Sequence, residues 1–357
     1  MKSVGAILLF WLLAAVASGA DNPQPRLSIY TWTDYIDPAL ITRFEQQTGS
    51  KVELQFFEEA DEREEVLAAN QAQGFDLVCI SENYLTQPGL QDWMEPLDRS
   101  RLPNLRHVQY PMARDVPEAP RYAVPYFWGT FGIAYRKDLV PEPPRSWREL
   151  FEQTPRHSGK VAMYPTVRML AGMALLATGA DFNSENPAEI DAAGQILLQQ
   201  AEHVWGYRGV DLGEDNLLAN GTLAIQSLFN GDALFLRRYQ PAIEFVYPAE
   251  GANVFVDYFV IPRSAGHKTL AYRFLDFIHQ PEVALQNALY VKFATPNRAA
   301  RELAPADYRE NPLIFPPPEV LAKGHIIRPL SSASLRRYTD IVMRATTRFE
   351  LLHDGGE

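Results

Sequence analysis

The chain has 357 residues, 46% of them hydrophobic, 22% charged and 11% aromatic, which is a globular composition with room for about two domains. Its 33 basic and 44 acidic residues give a formal net charge of −11, a field that repels nucleic acid and anionic membrane and favours cationic partners. A single cysteine, Cys79, excludes an intrachain disulfide framework and a multi-cysteine metal site.

Residues 1–20 have the form of an export signal. Lys2 is a minimal positive region, Val4 to Ala17 carries no charge, and Ser18-Gly19-Ala20 supplies small residues at a peptidase spacing, with Ala15-Val16-Ala17 as a second choice. The apolar run is short of the ~20 residues of a membrane span, so cleavage is expected rather than anchoring. The destination is then an extracytoplasmic space, a periplasm, and no cysteine follows the site to carry a lipid. Cleavage removes Lys2 and no acid, leaving 32 basic against 44 acidic residues, a net −12.

Strands and helices then alternate. Leu27 to Thr31 reads as a strand. Asp37-Pro38 is an N-cap with proline at the first helical position, Leu40, Ile41 and Phe44 recur at helical spacing, and Gly49 closes the helix. Val52, Leu54 and Phe56 alternate as a second strand. Asp61 with Glu64 resembles a capping box for the next helix, and Asp76 to Ile80 is a short apolar strand in which Cys79 reads as a buried, inert thiol. The β-α-β-α-β order implies a parallel, doubly wound sheet.

In such sheets ligands bind beyond the carboxyl ends of the strands. Trp32-Thr33-Asp34-Tyr35 follows the first strand and Ser81-Glu82-Asn83-Tyr84 the third. A turn needs only small polar residues, so this density of rings, hydroxyls and carboxylates marks a binding edge.

A second α/β unit follows: a strand over Gly159 to Met163, helices over Met169 to Thr178 and Pro187 to His203, an apolar segment over Leu223 to Phe229 broken by Asn230-Gly231-Asp232, a strand over Val254 to Ile261 and a helix over Lys268 to His279. The prolines of 141–144 and 316–318 mark loops. No short-period repeat is present. Nor is there a G-x-S-x-G, G-x-G-x-x-G, Walker A or H-E-x-x-H pattern. The seven histidines lack metal-ligand spacing, so neither catalysis, metal nor cofactor is expected. The acidic run Glu58 to Glu65 reads as a solvated helix face without calcium-loop spacing.

Several segments then converge on one family. Tyr30-Thr31-Trp32-Thr33-Asp34-Tyr35-Ile36, Gly74-Phe75-Asp76-Leu77-Val78, Pro125-Tyr126-Phe127-Trp128-Gly129, Ser146-Trp147-x-x-Leu150, Tyr247-Pro248-x-Glu250-Gly251, Phe274 to Ile278 with Pro281-Glu282-Val283, Thr295-Pro296-Asn297 and Arg309-Glu310-Asn311-Pro312 occur in this order. Between about Leu27 and Arg344 the chain resembles the periplasmic spermidine- and putrescine-binding proteins of ATP-driven importers. The resemblance implies a two-lobed clamshell of the periplasmic binding protein type II, each lobe a mainly parallel sheet flanked by helices, with a hinge between. Lobe 1 is expected over 21–129 plus 257–300 and lobe 2 over 130–256 plus 301–350. Crossings are expected near Gly129–Ala134, Val254–Val260 and after Asn297.

It also implies a cationic ligand closed upon in the cleft. Spaced carboxylates would hold the ammonium groups, and aromatic faces would hold the methylene stem through contacts worth roughly 0.5–2 kcal/mol each. Trp32, Thr33, Asp34 and Tyr35 match the family's first binding loop and Ser81 the serine of the second. Asp257 and Asp232 match amine-contacting carboxylates, Phe229 and Phe255 the aromatic walls, and Phe293 a family tyrosine without its hydroxyl. Departures concentrate in Tyr164-Pro165-Thr166-Val167-Arg168-Met169, where Thr166 and Met169 stand at positions that usually carry carboxylates. Asn83 replaces a tyrosine, the family's late glutamine falls near Ile327, and Glu82 is a candidate to compensate. The implied role is a monomeric receptor delivering a polyamine to an inner-membrane permease, without nucleic acid as a partner. Two alternatives stay open: a sensor docking on a membrane signalling receptor, and a relative retuned to another small solute.

Overall fold

The computed structural model describes residues 24–353 apart from 59, 87 and 88; the export signal lies outside the described residues. Nine strands form one sheet: β1 Arg26–Trp32, β2 Lys51–Phe57, β3 Leu77–Ser81, β4 Ala123–Arg136, β5 Val161–Met163, β6 Gly206–Tyr207, β7 Ile225–Phe229, β8 Ile243–Val246 and β9 Asn253–Val260. Their order is β2-β1-β3-β9-β4-β7-β5-β6, with β8 also paired to β4.

The local signals act as their chemistry dictates. Helix α1 spans Pro38–Thr48 with the Asp37 carboxylate accepting from Ala39 N–H at 2.9 Å, and Gly49 ends it in the left-handed region at φ 67°, where a side chain would be strained. Helix α2 spans Ala60–Asn70, so Asp61 lies inside its first turn rather than ahead of it. The reach-back bond there runs from Glu58 N–H to Glu62 at 3.2 Å. Asn230-Gly231-Asp232 opens a helix, Asn230–Leu236, instead of merely breaking the strand.

β1 is parallel to β2 and β3, and β5 is parallel to β6 and β7. The long central strands β4 and β9 are antiparallel to each other and to their other partners, so the sheet is mixed where the chain crosses between lobes. β4 carries the crossing along its own length. Val124, Tyr126 and Phe127 enter one hydrophobic core with β1, β3 and the C-terminal part of β9, whereas Phe131 and Ile133 enter a second with Trp147, Leu170 and Ile190. Ala304, Tyr308, Ile314, Phe315 and Ile326 also lie in the first core. The helix Ser332–His353 returns Tyr338, Ile341, Val342 and Ala345 to the second.

The family segments prove to be joints. Asp76 accepts from Ser28 N–H at 3.0 Å and from His267 N–H at 2.7 Å. Glu250 accepts from Trp147 and Arg148 N–H at 2.9 and 3.1 Å, and the Trp147 indole donates to Gly251 C=O at 3.0 Å. Two segments about 100 positions apart therefore cap one helix, which satisfies N–H groups that helix geometry leaves open.

Candidate ligand-binding site

The site begins where strand pairing sets two polar groups side by side. Ser81, the last residue of β3, stands opposite Asp257 of β9. Ser81 Oγ–H donates to Asp257 Oδ1 at 3.0 Å, and Tyr35 O–H donates to Oδ2 at 2.8 Å. The Trp32 indole is a further hydrogen-bond partner of this carboxylate. Tyr35 is positioned by its backbone: Tyr126 O–H donates to Tyr35 C=O at 2.7 Å, Asn287 Nδ2–H donates to the Tyr126 hydroxyl oxygen, and Asn287 Oδ1 accepts from Asp37 N–H. Burial raises the Asp257 carboxyl, and Arg63 acts against that rise. Burial, then Asp257, pushes the Tyr35 phenol well up, so Tyr35 stays a donor.

From Tyr35 a ladder of edge-to-face rings runs across the molecule. Its centroid spacings are 6.3 Å to Phe293, then 5.3 Å to Phe255, 5.1 Å to Phe229 and 5.0 Å to Phe131. These spacings suit aromatic pairs, and the ladder passes from the first core to the second. Phe229 ends β7, and Asp232 follows in the first turn of the next helix. Burial raises Asp232 to about 7, opposed only by the backbone N–H at Phe229. The two carboxylates thus differ: Asp257 is buried with hydroxyl donors and a nearby cation, while Asp232, half-buried and three residues past Phe229, has only a backbone N–H to offset its desolvation.

The remaining candidates separate from this cluster. Thr33 and Asp34 are exposed in the turn after β1, Asp34 at φ 54°. Glu82 is buried and accepts from Val256 N–H at 3.1 Å, so its carboxylate ties β9 to the helix after β3, Glu82–Thr86, which we label α3. Burial lifts it to about 7. Asn83 turns towards α2 and donates to Glu64 at 3.4 Å. Thr166 is the N-cap position of the helix Val167–Thr178, without a side-chain capping bond. Met169, 4% exposed, is part of the second core, as the apolar content of that helix would suggest.

Sequence reasoning missed two residues. Arg63 lies in the acidic run, and Glu58, Glu62, Glu64 and Glu65 of that run are indeed exposed; Arg63 itself is 1% exposed. Its guanidinium carbon stands 5.7, 5.2 and 5.2 Å from the ring centroids of Trp32, Phe57 and Tyr84, and Nη1 donates to Ser81 Oγ at 3.3 Å. Asn230 is the second: Oδ1 accepts from Thr130 N–H at 2.9 Å and Nδ2 donates to Leu313 C=O, joining β4, β7 and the late segment. An arginine among glutamates and an asparagine before glycine both have common surface explanations, so neither carries a sequence signal for these roles.

A two-lobed α/β fold with a ladder of rings running from one core towards the other, a buried carboxylate (Asp257) near one end and a half-buried one (Asp232) just past Phe229, is what this geometry defines. The model of the bacterial extracellular solute-binding proteins matches residues 39–316, and the chain belongs to that family. It is 28% identical over 94% of its length to the spermidine/putrescine-binding periplasmic protein of Salmonella typhimurium, covering 94% of that protein. It is 30% identical to the norspermidine sensor of Vibrio cholerae, over 91% of this chain and 89% of that one. Among solved structures, one described as a spermidine/putrescine ABC transporter from Listeria monocytogenes superposes with a TM-score of 0.81 at 30% identity, covering 90% of this chain and 99% of the other.

Proposed function

We propose that the protein is a periplasmic receptor that captures a polyamine in the cleft and hands it to an ABC permease. A polyamine offers ammonium groups at fixed spacings along a methylene stem, and the cleft offers Asp257 and Asp232 with the Tyr35–Phe293–Phe255–Phe229 ladder. The observation that carries the reading is the ladder of rings with Asp257 held by Tyr35 at one end and Asp232, half-buried three residues past Phe229, at the other: carboxylates spaced along an apolar stem suit a chain of ammonium groups. The function needs no catalytic group, and closure of the lobes about β4, β9 and a third crossing at Ile326–Ile327 would complete the ligand's cage. The leader over residues 1–20 would deliver the mature chain to the periplasm, and no helix among the described residues is long and apolar enough to cross a membrane.

Calorimetry with putrescine tests the site. Asp257→Ala should weaken binding by more than about tenfold, because it leaves Arg63 as an unbalanced cation in the cleft wall, repelling the ligand, and frees the Tyr35 and Ser81 hydroxyls it holds in place. Unchanged affinity would contradict the assignment. The likeness to a norspermidine sensor supports a second output, docking on a membrane signalling receptor. Co-purification from the native membrane, with permease subunits or with a signalling receptor, separates the two.

A further inference from the structure

The carboxyl ends of β1 and β2 and the helix α3 build an aromatic box from Trp32, Phe57 and Tyr84. Such boxes suit a cation, and this one is filled by the chain itself. The Arg63 guanidinium sits over all three rings and reaches Asp257 through one hydroxyl, Arg63 Nη1–H to Ser81 Oγ and Ser81 Oγ–H to Asp257 Oδ1. Asp257 also holds the Tyr35 hydroxyl. The charge and hydrogen bonds that a ligand ammonium would bring are therefore largely supplied from within, at a position on an otherwise exposed acidic helix face. Asp232 has no such resident cation: among the described residues it forms no ion pair, and only the backbone at Phe229 offsets its burial.

We propose that Arg63 determines specificity by standing in for one ligand ammonium at the first-lobe end of the cleft, so that the site prefers the polyamine with fewest ammonium groups, a diamine over a triamine. This rests on the polyamine reading above and deepens it. With Asp257 already balanced, a second ammonium at that end meets a fixed guanidinium of like charge. The ammonium at Asp232 and the methylene stem along the rings then account for recognition. A guanidinium cannot release its proton to relieve the clash, so the preference holds across the neutral range.

The test is calorimetric titration of the mature protein with putrescine and spermidine, on wild type, Arg63→Met and Arg63→Lys. Wild type should bind putrescine more tightly than spermidine. Arg63→Met should shift the ratio of dissociation constants towards spermidine by about tenfold or more, the worth of one charge-assisted pair. Arg63→Lys, which keeps the cation, should retain the wild-type order. Should the methionine variant fail to fold, Arg63→Gln carries the same expectation. A ratio unchanged in the neutral variants, or one that Lys shifts as far as Met does, overturns the role of Arg63 while leaving the polyamine reading standing. Wild type that binds no amine overturns both.

Discussion

Asp232 and Asp257 are the same side chain in unlike company, and the difference has a sign. Asp232 is raised to about 7 by burial, far above the ordinary carboxyl value. A buried acid raised in this way binds its proton more tightly folded than unfolded. It therefore costs stability progressively as pH rises from about 4 to about 7, and the cost is complete above 7. Glu82, raised to about 7 by the same cause, adds to that slope. An ammonium needs the carboxylate, and alkyl ammonium groups stay protonated to about pH 10. Putrescine affinity should therefore rise between pH 5 and pH 8, by on the order of tenfold per unit below 7 in the limit of a single group. Calorimetry across that range checks it, and Asp232→Asn should remove most of the slope; a wild-type affinity flat with pH would contradict the assignment of Asp232. Ser81 could be singled out in the sequence because it lies at a strand's carboxyl end, and Asp257, which lies within β9, only through the family resemblance; their hydrogen bond is what the structure adds. Arg63 was not legible, since only the tertiary position of α2 turns that residue inward from an acidic face.

Secondary elements meet closely where β4 passes from the first core to the second. At Gly129 an added Cβ would stand 2.6 Å from Asn230 Oδ1 and 2.7 Å from the Phe255 ring. The same amide accepts from Thr130 N–H, so glycine is needed for close approach rather than for an unusual φ. Gly129→Ala should destabilise the protein by roughly 1–3 kcal/mol, the usual cost of overpacking, and should weaken putrescine binding because Phe255 must move. Denaturant unfolding read beside calorimetry would show both effects, and an alanine variant with native stability and native affinity would refute the joint. The elements were legible in part: from the sequence no strand is expected over the 14-residue β4, and no helix over Pro281–Val291 or Ser332–His353. Asp37, Pro38 and Gly49 bound α1 because capping is local chemistry. The antiparallel runs of β4 and β9 were not, because a two-residue period gives no strand direction. The alternation of Val52, Leu54 and Phe56 also misplaced the most buried ring of β2, which is Phe57, packed against Tyr30 and Trp32.

At the scale of the molecule, three hydrophobic clusters share one sheet, and the aromatic ladder from Tyr35 to Phe131 spans the line between the two largest. On the proposed reading, a cation in the cleft would stabilise Asp232 as an ion and tie both halves together, which would link ligand binding to folding stability. The excess of acidic over basic residues draws cations from solution towards the chain at low ionic strength. The most direct measurement is the melting temperature of the mature protein with putrescine, cadaverine, spermidine, norspermidine or spermine, with amino acids as controls. A ligand present at about 100 times its dissociation constant contributes about 2.7 kcal/mol, which for a protein of this size corresponds to a rise of roughly 4 °C. A polyamine receptor shows that rise with at least one polyamine, largest for a diamine, and none with the amino acids. No rise with any amine, or an equal rise with the amino acids, would contradict the account.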